Sequence, residues 1–339
     1  MSARVLVTDY AWPTLAIERA ILGEVGAELV VAESGDAAEL IALAAGAEAI
    51  LINWRQLPEE ALDAATGCLV VARYGVGVDN IPVEHATELG ILVANVPDFC
   101  VEEVSDHTLA LLLASARRIV TFARSTRDGS WDLLGLGRGL PRVRGQRLGL
   151  IGFGSTARAL VPKAQGLGLE ITAYTPRLPR GRDEATGVDL TDDLAEVLSI
   201  SDYVSLHAPA TAQTRGLIGE AELRAMKPGA YLINTSRGAL IDERALERAL
   251  TEGWIAGAAL DVLAEEPPPQ SHALLALGNV IVTPHAAFYS EPAIAELATK
   301  AARNVLSVLR GEVPTTLVNP AVLDVPAYRL GARDGRAGS

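Results

Sequence analysis

Three segments place ionisable residues directly after apolar runs. AYLINTSRG ends on Arg237 and its glycine, AGAALDVLAEEPP carries Asp261 and then Glu266, and NVIVTPHAA carries His285. If those runs are neighbouring parallel strands, their carboxyl ends share one edge, where open α/β sheets bind ligands. Residues distant in sequence then meet. A histidine titrating near neutrality can give a proton to a developing alkoxide and take it back. A carboxylate beside the imidazole orients it and favours its charged form. Arginine fixes a carboxylate with its rigid fork or polarises a carbonyl. Hydride transfer to a 2-oxo acid needs all three types. Each alone has a bland alternative, as a turn arginine, a solvated carboxylate or a loop histidine, and Asp261 could simply cap a turn. The combination is what points to a site.

A fourth segment suits a phosphate. RLGLIGF runs into Gly152-Phe153-Gly154-Ser155-Thr156-Ala157 and then a helical stretch, a GxGxxA pattern. The first glycine permits the tight turn, the second lets a pyrophosphate approach the backbone, and a small third residue packs helix on strand. Helix N–H groups and the dipole favour the anion. With strand, loop, helix and next strand in order, the pattern predicts a dinucleotide site. The following strand should end in an acid that holds the ribose diol of NAD, yet it ends in Thr175, followed by Pro176, Arg177, Leu178, Pro179 and Arg180. Without the carboxylate, repulsion toward a 2′-phosphate is gone and a guanidinium can pair with it. The cofactor expected is NAD(P)(H), with NADP(H) slightly favoured over NAD(H). A solvated arginine loop with NAD held through the Thr175 hydroxyl is the alternative.

The elements that must position these residues follow from hydrophobic pattern. RVLVTD, AELVVA, AEAILINW, GCLVVARY and ILVANV read as buried parallel strands, with helices near 13–24, 36–45, 58–65 and 82–89 between them. A long helix is expected from Glu102 to about Ala123, then a Gly/Arg-rich break. Strands resume at RLGLIGF, LEITAYT, SDYVSLH, AYLINTS, AGAALDV and NVIVTPH, and a last helix spans about 291–310. The fold class is α/β, with two doubly wound parallel-sheet domains. The 339 residues carry 29 basic and 42 acidic side chains, a net charge of −13, and only three lysines, Lys163, Lys227 and Lys300. That balance argues against nucleic acid and anionic membrane as partners. No run approaches a membrane span, the stretch MSARVLVTDY has no apolar h-region or cleavage site, and Cys68 and Cys100 offer neither a disulfide framework nor a metal pair. A cytoplasmic location is expected.

The chain resembles the D-isomer-specific 2-hydroxyacid dehydrogenases along nearly its full length up to about residue 320. The resemblance rests on RYGVGVDNI, NVPDFCVEEVSDHTLALLLA, GLIGFGSTARAL, HAP, MKPGAYLINTSRGALIDERAL, GAALDVLAEEPP and TPHAAFYSE, with HAAFYSE and EEVSDHT most similar to the C-terminal-binding-protein-like branch. It implies a Rossmann nucleotide domain, 99–290, inserted in a flavodoxin-like substrate domain, 1–98 with 291–320, followed by a frayed tail, 321–339. It implies Arg237 as the substrate-binding and catalytic arginine, Glu266 as the carboxylate partner and His285 as acid/base. Asp261 would lie near the nicotinamide amide, Ser155 and Thr156 under the pyrophosphate, and Thr175 at the ribose-selecting position with Arg177 nearby. His207, Ala208, Pro209, Thr235 and Ser236 would line the cofactor. Arg73 and the backbone of Tyr74, Gly75, Val76 and Gly77 would present a substrate carboxylate from the other domain. A small 2-oxo or 2-hydroxy acid is the implied substrate, and a homodimer through the nucleotide domains, with the arm around Trp131 as a contact, is the implied assembly. The alternative from another class is a redox-sensing, corepressor-like interaction protein using NAD(P)H as a conformational ligand.

Overall fold

In a computed structural model, whose described residues run from 2 to 334, the chain divides into two compact units: residues up to Phe99 together with those from Ser290 onward, and Cys100–Tyr289. Each has its own sheet.

The first unit holds β1 (Arg4–Val7), β2 (Glu28–Val31), β3 (Ala49–Ile52), β4 (Val70–Arg73) and β5 (Leu92–Ala94), all parallel in the order β2-β1-β3-β4-β5. This is the flavodoxin-like order. Helices on both faces bury Leu6, Ile50, Ile52, Leu62, Val71 and Val93, so the strands read as unbroken apolar runs. The helix Glu291–Leu309 starts at a Ser290 cap, whose Oγ accepts the Ala293 N–H at 3.1 Å. It lays small residues, Ala298, Ala301 and Ala302, against the sheet side of this unit.

The chain beyond residue 320 does not fray as expected, at least through residue 334. Asn319 accepts from Val93 N–H and donates to the Ile91 carbonyl, covering the open edge of β5. Arg329 donates to the carbonyls of Leu89, Ala65 and Cys68, and Leu330 is buried. The Gly/Pro/charge composition suggested fraying; specific capping of buried carbonyls by one arginine reverses that. Residues 335–339 of the expected tail lie outside the described residues.

The second unit holds β6 (Arg147–Ile151), β7 (Glu170–Tyr174), β8 (Gly181–Arg182), β9 (Asp189–Thr191), β10 (Tyr203–Leu206), β11 (Tyr231–Asn234), β12 (Gly257–Leu260) and β13 (Val280–Val282). Their order is β13-β12-β11-β10-β6-β7-β9-β8, parallel except for β8 against β9. Counting only the parallel strands gives the Rossmann order with one further strand at the far edge. Because the ladder is parallel, Ile151, Leu206, Asn234 and Leu260 come to the same edge in register. The short β8 and β9 were not expected from sequence, having two and three residues.

The long helix expected from Glu102 to Ala123 is two helices, Val101–Ala116 and Ile119–Arg127. Arg118 breaks it by taking a left-handed backbone, φ 49°. Its guanidinium then donates to the carbonyls of Leu136 and Arg138 at 2.6 and 3.2 Å, tying the break to the short helix Leu133–Gly137.

Candidate active site

The site is assembled at the carboxyl ends of β11, β12 and β13 of the second unit. Asn234, fully buried at the end of β11, organises the turn after it: its Oδ1 accepts from Ser236 N–H at 3.0 Å and its Nδ2 donates to the Arg237 carbonyl at 2.8 Å. An amide closing its own turn in this way fixes the direction in which the next side chains leave. Arg237 donates from Nη1 to the Ser236 carbonyl at 2.8 Å. Beside it, a β-carbon on Gly238 would fall 2.0 Å from the Leu263 carbonyl carbon, so this turn lies in backbone contact with the loop leading to Glu266.

Glu266 and His285 meet directly. The imidazole Nδ1 stands 2.6 Å from Glu266 Oε2, and Glu266 Oε1 accepts from Leu263 N–H at 2.9 Å. Partial burial pushes the Glu266 carboxyl up, but the His285 hydrogen bond and charge, the Leu263 N–H and the Arg237 charge together hold it below its ordinary value. The carboxylate is thus ionised at neutral pH and accepts from Nδ1–H, so Nε2 takes no part in this contact. His285 has a left-handed backbone, φ 51°, uncommon for a non-glycine residue. Phe288 packs edge-on to the imidazole, with centroids 6.0 Å apart.

Asp261 holds that conformation. Its side chain is wholly buried, and it accepts from Ala286 N–H at 2.9 Å, Ala287 N–H at 2.8 Å and Thr283 Oγ1 at 2.5 Å. Burial raises this carboxyl; hydrogen bonds from His107, Thr283, Ala286 and Ala287 outweigh it and lower it. Asp261 therefore serves as the keystone of the His285 loop, whatever else it touches. Sequence reasoning did not single out Thr283 or Asn234, and placed His107 in the first turns of the long helix facing the cleft, with a supporting role at least as expected as direct contact. The polar TPH and INTS strand ends carried the only signal for the first two.

The glycine loop has the form its pattern predicts. Gly152 follows β6 with φ 99°, and a β-carbon there would lie 2.6 Å from the His207 carbonyl oxygen. Gly154 has φ −84°, and a β-carbon on it would meet nothing within 4 Å. The twelve-residue helix Ser155–Gly166 starts without any side-chain cap, so no side chain satisfies its first N–H groups. Ala157 is buried beneath it. A dinucleotide pyrophosphate fits this arrangement: a blocked side at Gly152, an open side at Gly154, and uncapped donors between.

Around the loop, His207 N–H continues the ladder to Ile151, and Ser236 Oγ donates to the Ala208 carbonyl at 2.6 Å, joining the His207-Ala208-Pro209 segment to the Arg237 turn. Thr235 Oγ1 is 2.8 Å from Thr108 Oγ1. Desolvation pushes the His207 imidazole down to about 4, so it is neutral at working pH. Thr175 is buried after β7, with its N–H on the Thr191 carbonyl. Of the two arginines that follow, Arg180 is taken by Glu196 at 2.8 Å. Arg177 is exposed and makes no ion pair among the described residues.

In the first unit, Arg73 and Tyr74 turn inward. Arg73 is buried, and donates from Nη1 to Asn53 Oδ1 at 3.2 Å and to the Tyr74 carbonyl. The Tyr74 phenol is buried on Glu18, at 3.1 Å, a carboxyl that burial raises. Val96 N–H takes the Gly75 carbonyl and Asn95 Nδ2 the Val76 carbonyl. All three loop carbonyls are engaged internally, while the N–H groups of Gly75, Val76 and Gly77 have no acceptor among the described residues. The Arg73 side chain braces this loop from beneath.

Comparison with known proteins places the chain in a family. The family described as D-isomer specific 2-hydroxyacid dehydrogenase, NAD binding domain, matches residues 109–287. A glyoxylate reductase of Korarchaeum cryptofilum is 42% identical over 271 residues, 78% of this chain and 80% of that protein. A D-3-phosphoglycerate dehydrogenase of Methanocaldococcus jannaschii is 39% identical over 329 residues, 97% of this chain but only 61% of that longer protein. Among solved structures, an NADPH-dependent glyoxylate/hydroxypyruvate reductase from Sinorhizobium meliloti, in complex with NADP and malonate, superposes with a TM-score of 0.82 at 30% identity, covering 97% of this chain and 98% of that one. These relatives do not single out the C-terminal-binding-protein-like branch. Among the described residues no helix is long and apolar enough to cross a membrane.

Proposed function

The chain belongs to the D-isomer specific 2-hydroxyacid dehydrogenase family, and from that premise we propose that it is an NAD(P)-dependent reductase of small 2-oxo acids, such as glyoxylate or hydroxypyruvate. The 2.6 Å contact between His285 and Glu266, in a unit whose glycine loop leaves an uncapped helix start open, carries this reading. Gly152, Gly154, Ser155 and Thr156 hold the pyrophosphate, and the segments at His207–Pro209, Thr235–Ser236 and Asp261 border the rest of the dinucleotide. When bound, the reduced nicotinamide supplies the hydride. Arg237 binds the substrate through its guanidinium and offsets the charge growing on the carbonyl oxygen. His285 delivers the proton to that oxygen from Nε2, and Glu266 keeps the ring in the required tautomer and stabilises it while charged. The uncommitted N–H groups of Gly75, Val76 and Gly77 are donors suited to a carboxylate, with Arg73 positioning them.

Arg177, exposed and without an ion pair among the described residues, follows two positions after Thr175, which stands where a ribose-binding acid would repel a 2′-phosphate, and so supports a preference for NADPH. The arm after Arg118 exposes Trp131 at 90%, with Leu133, Leu134 and Ile119 also exposed, which supports a homodimer built on the second unit; a monomeric mass by light scattering would overturn that assembly. Nothing in either unit favours the corepressor-like alternative. The function is tested by initial rates with NADPH and NADH across glyoxylate, hydroxypyruvate, pyruvate and bulkier 2-oxo acids. Oxidation of NADPH by at least one of them is expected. Tight cofactor binding with no oxidation by any 2-oxo acid would overturn the reading.

A further inference from the structure

The helix Val101–Ala116 packs across β11 and β12, and two consecutive side chains on it reach the two strand-end loops that carry Arg237 and His285. Thr108, fully buried, donates its hydroxyl proton to the Val104 carbonyl at 2.7 Å. Having one proton, it can then only accept from Thr235 Oγ1 at 2.8 Å, in the turn before Arg237. His107 reaches the other loop: its Nε2 is 3.0 Å from Thr283 Oγ1 and 3.5 Å from Asp261 Oδ1. Proton direction here is also determined. Asp261 is an ionised acceptor, so Thr283 gives its proton to Asp261 at 2.5 Å, and His107 must donate from Nε2 to Thr283.

The result is a directed series, His107 Nε2–H to Thr283 Oγ1–H to Asp261, which ends on the carboxylate holding Ala286 and Ala287 N–H. Hydrogen bonds in such a chain polarise and strengthen one another. His285 lies between Thr283 and Ala286 with a left-handed backbone that needs support from its surroundings. We propose that His107 is a positioning residue for the reaction: acting through Thr283 and Asp261, it holds the His285 loop in its active conformation, while Thr108 anchors the same helical turn to the Arg237 turn. This inference rests on the reductase reading given above.

The test compares H107L, H107Q and T283V, with the double variant H107L/T283V, using whichever 2-oxo acid and cofactor the wild-type protein turns over. Loss of one hydrogen bond at this distance from the reacting atoms should lower kcat about tenfold. H107L and T283V should each show that fall, with cofactor Kd within about threefold of wild type. The double variant should be no worse than T283V alone, because both substitutions cut the same series. H107Q, whose amide can donate from nearly the same place, should recover most of the loss. Unchanged kcat in H107L, losses that multiply in the double variant, or H107Q as impaired as H107L would overturn the proposal while leaving the reductase reading intact. If H107L does not fold, T283V and H107Q decide it: a T283V kcat within twofold of wild type, or an H107Q kcat tenfold down, overturns it. Absence of turnover in the wild-type protein would defeat both.

Discussion

Two glycines two positions apart, Gly152 and Gly154, should respond oppositely to the same added methyl. At Gly152 an alanine must adopt φ 99°, with its β-carbon 2.6 Å from the His207 oxygen and 2.7 Å from the His207 carbonyl carbon. That segment cannot retreat, because His207 N–H is bonded to Ile151 in the sheet ladder. Left-handed backbone costs an L residue about 1–2 kcal/mol, and overpacking adds about 1–3 kcal/mol. G152A should therefore lose about 3 kcal/mol, roughly 6–12 °C in Tm for a unit of this size. At Gly154 the backbone is open to any residue and a methyl meets nothing within 4 Å. Stiffening of the unfolded chain favours alanine by about 0.4–1 kcal/mol, and loss of a favourable cap residue opposes it by a similar amount. The G154A melt should stay within about 2 °C of wild type. Its methyl nevertheless occupies the approach of a pyrophosphate, so NADPH affinity should fall by about ten- to a hundredfold, a steric loss of about 1–3 kcal/mol. Differential scanning fluorimetry and NADPH fluorescence titration on the same preparations separate the two effects. G154A binding within twofold of wild type would refute the placement of the dinucleotide, and G152A melting like wild type would refute the steric argument.

Three further outcomes follow from the same geometry. R237K should lower kcat/KM about a hundredfold, since an ammonium keeps the charge but not the fork; a fall of less than threefold would count against a bidentate role. R177A should weaken NADPH about tenfold and NADH little, measured as the ratio of their Kd values; equal effects on both would remove the argument for NADPH. His207 is held down to about 4, below the ordinary histidine value, so the unfolded chain binds a proton that the native one does not. Its contribution is complete above about pH 6.5 and is lost as pH falls toward 4, by up to about 3 kcal/mol. H207Q should flatten that part of the urea-stability profile relative to wild type, and an unchanged slope would show that His207 is not the group responsible.

The parts of this molecule legible in its sequence are those governed by burial on both faces of a parallel sheet. Eleven of the strands lie under apolar runs such as AEAILINW and NVIVTPH, and the polar residues ending those runs, Asn234, Asp261 and Thr283, come to the site edge because the ladder keeps register. What escaped is decided by single side chains acting at a distance. Helical periodicity runs through Arg118, and only its bonds to Leu136 and Arg138 show why the helix stops there. The charge-rich end beyond residue 320 reads as unstructured until Arg329 is seen on three carbonyls. The bonds of Arg73 to Asn53 and to the Tyr74 carbonyl, which tie the end of β3 to the loop after β4, likewise leave no trace in the spacing of the chain. His107 gives the same lesson: hydrogen-bond direction through Thr283 is a property of three segments together, and no spacing along the chain encodes it.

The central claim is that His285, oriented by Glu266 at 2.6 Å, moves the proton in reduction of a 2-oxo acid. Pre-steady-state single-turnover reduction by H285A with saturating NADPH tests it most directly, with NADPH binding and the melting curve measured alongside. The rate should fall by roughly two to four decades while cofactor affinity and fold are retained. A single-turnover rate near that of wild type would contradict the account.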